Sequence, residues 1–195
     1  MVRGVASDRP IGQETLLVDI GGGSTELAMP DGDRLAWAIS TEAGSVRLTE
    51  RFLRSDPPAV DELAACAGYV RSLLPPLQPS TAVGVAGTVT TAATISLGGQ
   101  TGVHRHRLSA LAVSGALELV ASLPTREREQ VPGLEPTRAP VIVAGLVVLR
   151  EILARYGLSE IEVSERDILH GAALAASELP EPEEGAVPPM AFTCF

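Results

Sequence analysis

The octet Asp19-Ile20-Gly21-Gly22-Gly23-Ser24-Thr25-Glu26 constrains this chain more than any other stretch. The apolar run Thr15-Leu16-Leu17-Val18 leads into it, so Asp19 falls where a buried strand ends and the chain must turn. Consecutive glycines allow a tight turn that gathers backbone N–H groups into one concavity, and such a nest binds anions without side chains. Ser24 and Thr25 add hydroxyl donors, and Glu26 returns a carboxylate soon after Asp19. Two bare carboxylates would repel a phosphate, so the pattern makes chemical sense when a divalent cation lies between them. A glycine-rich hairpin with polar edges is the plain alternative. The preceding strand and the flanking acids favour the phosphate cradle.

The core palette points the same way. Hydrophobic residues make up 45% of the 195 residues but aromatics only 3%, so the core is built from Ala, Val, Leu and Ile. That is the composition of a sheet covered by helices. The net charge of −9 argues against a nucleic acid polymer as partner, because a phosphate backbone needs a basic footprint. Cys66 reads as a small helix-face residue and Cys194 as a tail thiol, since neither has metal-ligand spacing. No apolar leader opens the sequence, and the apolar stretch from Ala139 to Leu149 is too short to span a bilayer. The expectation is a cytoplasmic protein without membrane association.

Residues 1–14 read as an irregular lead-in, 15–177 as one domain and 178–195 as a disordered tail rich in Pro and Glu. Strands are expected at 15–20, 26–29 and 35–40, the last two joined by the turn Pro30-Asp31-Gly32-Asp33. Helices follow at 46–53 and 59–74, then a strand at 81–86 and a helix at 89–97. A polar loop covers 98–106, and helices cover 109–122 (with Ser109 as N-cap) and 139–156, the latter ending at Gly157. A strand at 160–164 and a helix at 167–177 close the domain. Strands reached through helical crossovers run parallel to the first. The expected fold class is therefore α/β, a mixed five-stranded sheet flanked by helices.

Val85-Ala86-Gly87-Thr88-Val89-Thr90-Thr91 repeats the logic of the octet: a strand ends, a glycine turns the chain, and hydroxyls stand at a helix N-terminus. Such a terminus offers unpaired N–H groups to an anion, although Gly-Thr before a helix is commonly only a cap. Both glycine turns lie at carboxyl ends of strands, where ligands of parallel-type sheets bind.

In order, DIGGGSTE, VRLTERFLRSDPP, VAGTVTTAA, VHRHRLS, LEPTRAPVIVAG and VSERDILHG resemble the exopolyphosphatase and guanosine pentaphosphate phosphohydrolase family. The resemblance runs from about Leu16 to Ala173. It implies the ribonuclease-H-like fold shared by actin, sugar kinases and heat-shock-chaperone ATPases, with this chain similar to the second of two domains. It also implies roles. Asp19 and Glu26 would be catalytic and metal-holding, with Glu26 positioning metal or water. Gly21, Gly22, Gly23, Ser24 and Thr25 would bind terminal phosphates, Gly87 and Thr88 would line the adjoining wall, and Arg138 would reach the substrate as a bidentate clamp. The implied substrate is inorganic polyphosphate or guanosine penta- or tetraphosphate, the implied cofactor Mg2+, and the reaction attack of water on a terminal phosphoanhydride.

Two departures accompany the resemblance. Arg138-Ala139 is followed by Pro140, where the family often has Asp. The family's first domain, with a further phosphate loop and a glutamate regarded as the base, has no counterpart ahead of Leu16. Alternative readings are therefore a catalytically incomplete regulatory binder, which could act as a homodimer or pair with a relative that carries the first domain; a truncated fragment; or half of an actin-like ATPase. That last group usually has Asp where this chain has Glu26. Of the remaining residues, His104, Arg105, His106 and Arg107 form a basic patch that could attract a polyphosphate tail or simply be a solvated loop. Arg126-Glu127-Arg128-Glu129 reads as an exposed, self-paired turn, and Trp37 as sheet-face packing.

Overall fold

A computed structural model describes residues 1–8, 10–31, 34–166 and 168–177. The chain opens with a short helix, α1 (Val2–Ala6), and then lays down the antiparallel meander β1 (Thr15–Ile20), β2 (Thr25–Asp31) and β3 (Arg34–Thr41). Helices α2 (Ser45–Phe52) and α3 (Val60–Leu73) carry it to β4 (Thr81–Val85), which pairs parallel with β1. Next come α4 (Ala86–Ser96), β5 (Arg107–Ser109), α5 (Ala110–Ala121) and α6 (Thr125–Arg128). A 3-10 turn at Pro136–Arg138, α7 (Ile142–Tyr156), β6 (Glu160–Val163) and α8 (Ile168–Ser177) complete it. Among the described residues the sheet is six-stranded and mixed, in the order β3-β2-β1-β4-β6-β5.

Strand β1 lies inside the sheet and is apolar on both faces, as a strand covered from both sides must be. Leu16, Val18 and Ile20 point into the larger core, while Leu17 joins Val2, Val5, Ala28, Val83 and Val85 on the other face. Helix α7 runs through the larger core, touching α2, α3, α4 and α5, and residues 142–149 are all buried. A helix with no polar face at that point has no route to water, so burial rather than propensity holds it. It ends at Gly157, whose φ of 65° supplies the left-handed cap that the sequence announced. Ser109 likewise caps α5, accepting from the Ala112 N–H at 3.1 Å.

Several expectations are corrected. The sheet has six strands rather than five: Arg107–Ser109 pairs antiparallel with β6, with Leu108 opposite Ile161. Three residues are too few to show an alternation, and the pairing is made by a partner distant in sequence. The lead-in is not irregular throughout, since α1 buries Val2 and Val5 and packs against α8. An isolated five-residue helix is unstable in water, so this one exists by tertiary contact. The helix expected from Ala139 begins at Ile142, after the 3-10 turn. Arg128 is not exposed but 3% accessible. Cys66 is, as expected, a small residue on the buried face of α3, where burial pushes its thiol up to about 11. The tail 178–195, with Cys194, lies outside the described residues.

Candidate active site

The glycine turn between β1 and β2 rests on the first turn of α2. Ser45 donates its N–H to the Gly21 carbonyl at 2.9 Å and its hydroxyl to the same oxygen at 3.3 Å. The Gly22 carbonyl accepts the N–H groups of Val46 at 2.9 Å and Arg47 at 3.1 Å. The Gly23 carbonyl accepts Nε of Arg47 at 3.0 Å. A planar trans peptide points its C=O and the following N–H in opposite directions. With three successive carbonyls drawn toward α2, the N–H groups of Gly22, Gly23 and Ser24 are turned the other way. Among the described residues these three donors meet no protein acceptor. Contact with α2 is close enough to dictate Gly44: a Cβ there would lie 2.2 Å from the Gly22 oxygen and 2.3 Å from the Gly23 carbonyl carbon.

Asp19 and Glu26 are directly paired across the β1–β2 ladder. Directly opposed residues share a face, with Cβ atoms roughly 5 Å apart. The two carboxylates therefore stand side by side at the base of the turn. Glu26 is oriented by two hydroxyls: its Oε1 accepts from Ser24 at 2.6 Å and from Ser40 at 2.7 Å. Ser40 reaches it because β3 places it opposite Glu26. The acids open onto a groove of about 720 Å3 whose walls include Val2, Ala28, Ile39 and Ser40.

The second turn leaves the same end of the sheet, because β4 lies parallel beside β1 with Val85 opposite Asp19. Ala86 adopts φ 65°, a conformation forced by the abrupt passage from strand to helix. Thr88 ties the two turns together by donating its hydroxyl to the Ile20 carbonyl at 3.2 Å. Arg138, on the 3-10 turn, brings its guanidinium against Gly87 while Nε donates to Glu135 at 3.2 Å. Its side chain remains 42% exposed.

The structure thus brings Asp19, Gly21, Gly22, Gly23, Ser24, Glu26, Gly87 and Arg138 to one end of the sheet. It corrects the expectation about hydroxyl donors. Thr25 is fully buried and donates to the Ala43 carbonyl at 2.6 Å, Thr88 donates to Ile20, and the Ser24 hydroxyl is committed to Glu26. The donors that face outward are backbone N–H groups. In the basic patch, His104 pairs with Asp8 at 2.6 Å, Arg105 with Glu162 at 3.5 Å and Arg107 with Glu160 at 2.7 Å. Its charge is answered locally, which leaves it little attraction for a polyanion.

Sequence reasoning missed Gly44, Ser40 and Arg47. Gly44 was legible as a turn glycine, but nothing marked it as the surface on which the cradle rests. Asp19 and Glu26 could offer a cation two hard carboxylate donors. Among the described residues no group of three or more His, Cys, Asp or Glu gathers. A pair of carboxylates would fit Mg2+, which binds through one or two carboxylates and keeps its other positions for water and phosphate oxygens.

The mixed six-stranded sheet with helices on its faces is the actin-like ATPase fold. The solved Aquifex aeolicus PPX-GPPA enzyme superposes with a TM-score of 0.83 at 28% identity, covering 89% of this chain and 60% of that one. The chain belongs to the Ppx/GppA phosphatase family, whose model matches residues 1–178. It is 34% identical to Exopolyphosphatase 2 of Mycobacterium tuberculosis over 179 residues, 84% of this chain and 56% of that protein. It is also 31% identical to the Bifunctional 3-dehydroquinate synthase/phosphatase of Fusobacterium nucleatum over 190 residues, 90% of this chain and 28% of that protein. The chain therefore spans about half the length of the mycobacterial relative. Among the described residues no helix is long and apolar enough to cross a membrane.

Proposed function

We propose that this chain binds the terminal phosphates of inorganic polyphosphate or guanosine pentaphosphate and provides one wall of a site that hydrolyses the terminal phosphoanhydride. The observation that carries the reading is the juxtaposition of three outward-facing N–H groups (Gly22, Gly23, Ser24) with the paired carboxylates Asp19 and Glu26. The N–H groups neutralise phosphate oxygens, Arg138 adds a bidentate cation from the neighbouring turn, and Asp19 and Glu26 would hold Mg2+. When bound, the metal supplies charge neutralisation of the phosphates. Glu26, whose Oε1 accepts from Ser24 and Ser40, is the carboxylate that would either hold the metal or take a proton from the attacking water. In phosphoryl transfer such alignment and charge stabilisation supply most of the catalysis.

Glu26 cannot serve fully as both metal ligand and base, and Asp19 and Glu26 are the only acids lining the groove among the described residues. That inventory favours a second form of the reading, in which this chain binds the phosphates and a base from elsewhere completes the hydrolytic set. Incubation with Mg2+ and polyphosphate, read as phosphate release, separates the two. Release that Glu26→Gln abolishes supports hydrolysis by this chain, whereas binding without release supports the incomplete form. No binding of either substrate sinks both.

A further inference from the structure

Arg47 lies in the first turn of α2, and its side chain ends on the backbone of the glycine turn. We propose that Arg47 is a positioning residue for the anion cradle: by holding the Gly23 carbonyl it keeps the Gly23–Ser24 peptide turned so that the Ser24 N–H faces the ligand. This rests on the reading that the turn receives phosphate oxygens.

The three peptides of the cradle are not secured in the same way. Those following Gly21 and Gly22 are held by backbone N–H groups of Ser45, Val46 and Arg47, which any sequence at those positions except Pro would supply. The peptide following Gly23 is held by a side chain, through Nε of Arg47 at 3.0 Å. Gly23 is exposed, and a Cβ placed on it would touch nothing within 4 Å. Gly44 packs on the Gly23 carbonyl carbon and the Gly21 N–H holds the Ser24 carbonyl, but among the described residues the Gly23 oxygen accepts only from Arg47, so its release frees this peptide to turn within the wide dihedral range of glycine. Arg47 is in turn steadied by Glu42, which accepts from Nη1 at 3.3 Å. The chain of contacts Glu42–Arg47–Gly23 therefore ends on the one donor of the cradle that the helix backbone does not fix. A planar guanidinium can hold a carbonyl through Nε and a carboxylate through Nη1 at once, which a lysine ammonium on its flexible stem does not reproduce.

The test uses the full chain, tripolyphosphate as probe, and amide NMR of the wild type, Arg47→Lys and Arg47→Met. In the wild type, tripolyphosphate shifts the Gly22, Gly23 and Ser24 amides together. In both variants the Gly22 and Gly23 amides still respond, the Ser24 response is largely lost, and the dissociation constant rises about tenfold, the scale of one hydrogen bond to a charged group. Loss in Arg47→Lys, which keeps the charge, separates positioning from simple attraction. A second measurement needs no ligand: the N–H residual dipolar coupling of Ser24 changes in both variants while those of β1 and β2 stay at wild-type values. A Ser24 coupling unchanged in Arg47→Met and Arg47→Lys overturns the proposal. If no wild-type amide responds to tripolyphosphate, the phosphate reading fails, and the ligand-free coupling still decides whether Arg47 orients the turn.

Discussion

Arg138 lays its guanidinium so closely on Gly87 that a Cβ at that residue would fall 2.0 Å from Nη1, 2.2 Å from Cζ and 2.3 Å from Nη2. The contact joins the strand-to-helix turn after β4 to the 3-10 turn before α7, and it sets where the cation stands relative to the cradle.

Gly87→Ala should therefore move Arg138 without unfolding the chain, since the obstacle is the free end of a flexible side chain. We expect a melting temperature close to wild type and a tripolyphosphate affinity weakened about tenfold, the scale of one charge-assisted contact. Calorimetry on Gly87→Ala, Arg138→Ala and the double variant checks it. Independent, additive losses would show that the two residues do not act through one contact.

Gly44→Ala meets backbone instead of a side chain, because its methyl would enter the Gly22–Gly23 peptide. Something must shift, and overpacking of this kind costs roughly 1–3 kcal/mol. Urea unfolding should show that loss, together with weakened anion binding. Wild-type stability and affinity would contradict the close packing of turn against helix.

Arg128→Met should be the most destabilising of these changes. The buried guanidinium donates to the Val120, Leu123 and Ala139 carbonyls and to Asp56, at 2.7, 2.8, 3.2 and 2.9 Å respectively. Removing it leaves buried carbonyls unsatisfied, and we expect a loss of roughly 3 kcal/mol in urea unfolding. A loss below about 1 kcal/mol would mean that water replaces the guanidinium at little cost.

Glu62 predicts a pH effect. The Ser55 hydroxyl, followed by the Ala59 N–H and the Arg54 and Ser55 N–H groups, holds its carboxyl down from 4.5 to about 2. A folded-state value below the unfolded one means that the contribution is present above about pH 4.5 and is lost as pH falls through about 2. The group is exposed, so the effect on stability is small, and the direct readout is a carboxyl NMR titration of Glu62. A midpoint near 4.5 would remove the argument, and Glu62→Gln should remove the acid-dependent loosening of residues 54–59.

The legible and illegible parts of this molecule divide by the range of the interaction. The strand leading to Asp19, the turn through Gly21–Ser24, the cap at Ser109 and the stop at Gly157 each arise from a few neighbouring residues. The crossover rule alone then set β4 parallel to β1. The sequence by itself thus determined the α/β class, the glycine turns and their placement at strand ends.

Tertiary structure decided the rest. Arg128 looked like one member of an exposed charge run until the Val120, Leu123 and Ala139 carbonyls enclosed its guanidinium and Asp56, 72 residues away, met its outer edge. Strand β5 exists because β6 offers it an edge, and α1 because α8 covers it. The hydroxyls of Thr25 and Thr88 were turned inward by the Ala43 and Ile20 carbonyls, which left the phosphate-facing donors to the backbone. A side chain's local pattern states what it can donate. Which acceptor it meets depends on segments that only folding brings within hydrogen-bond reach.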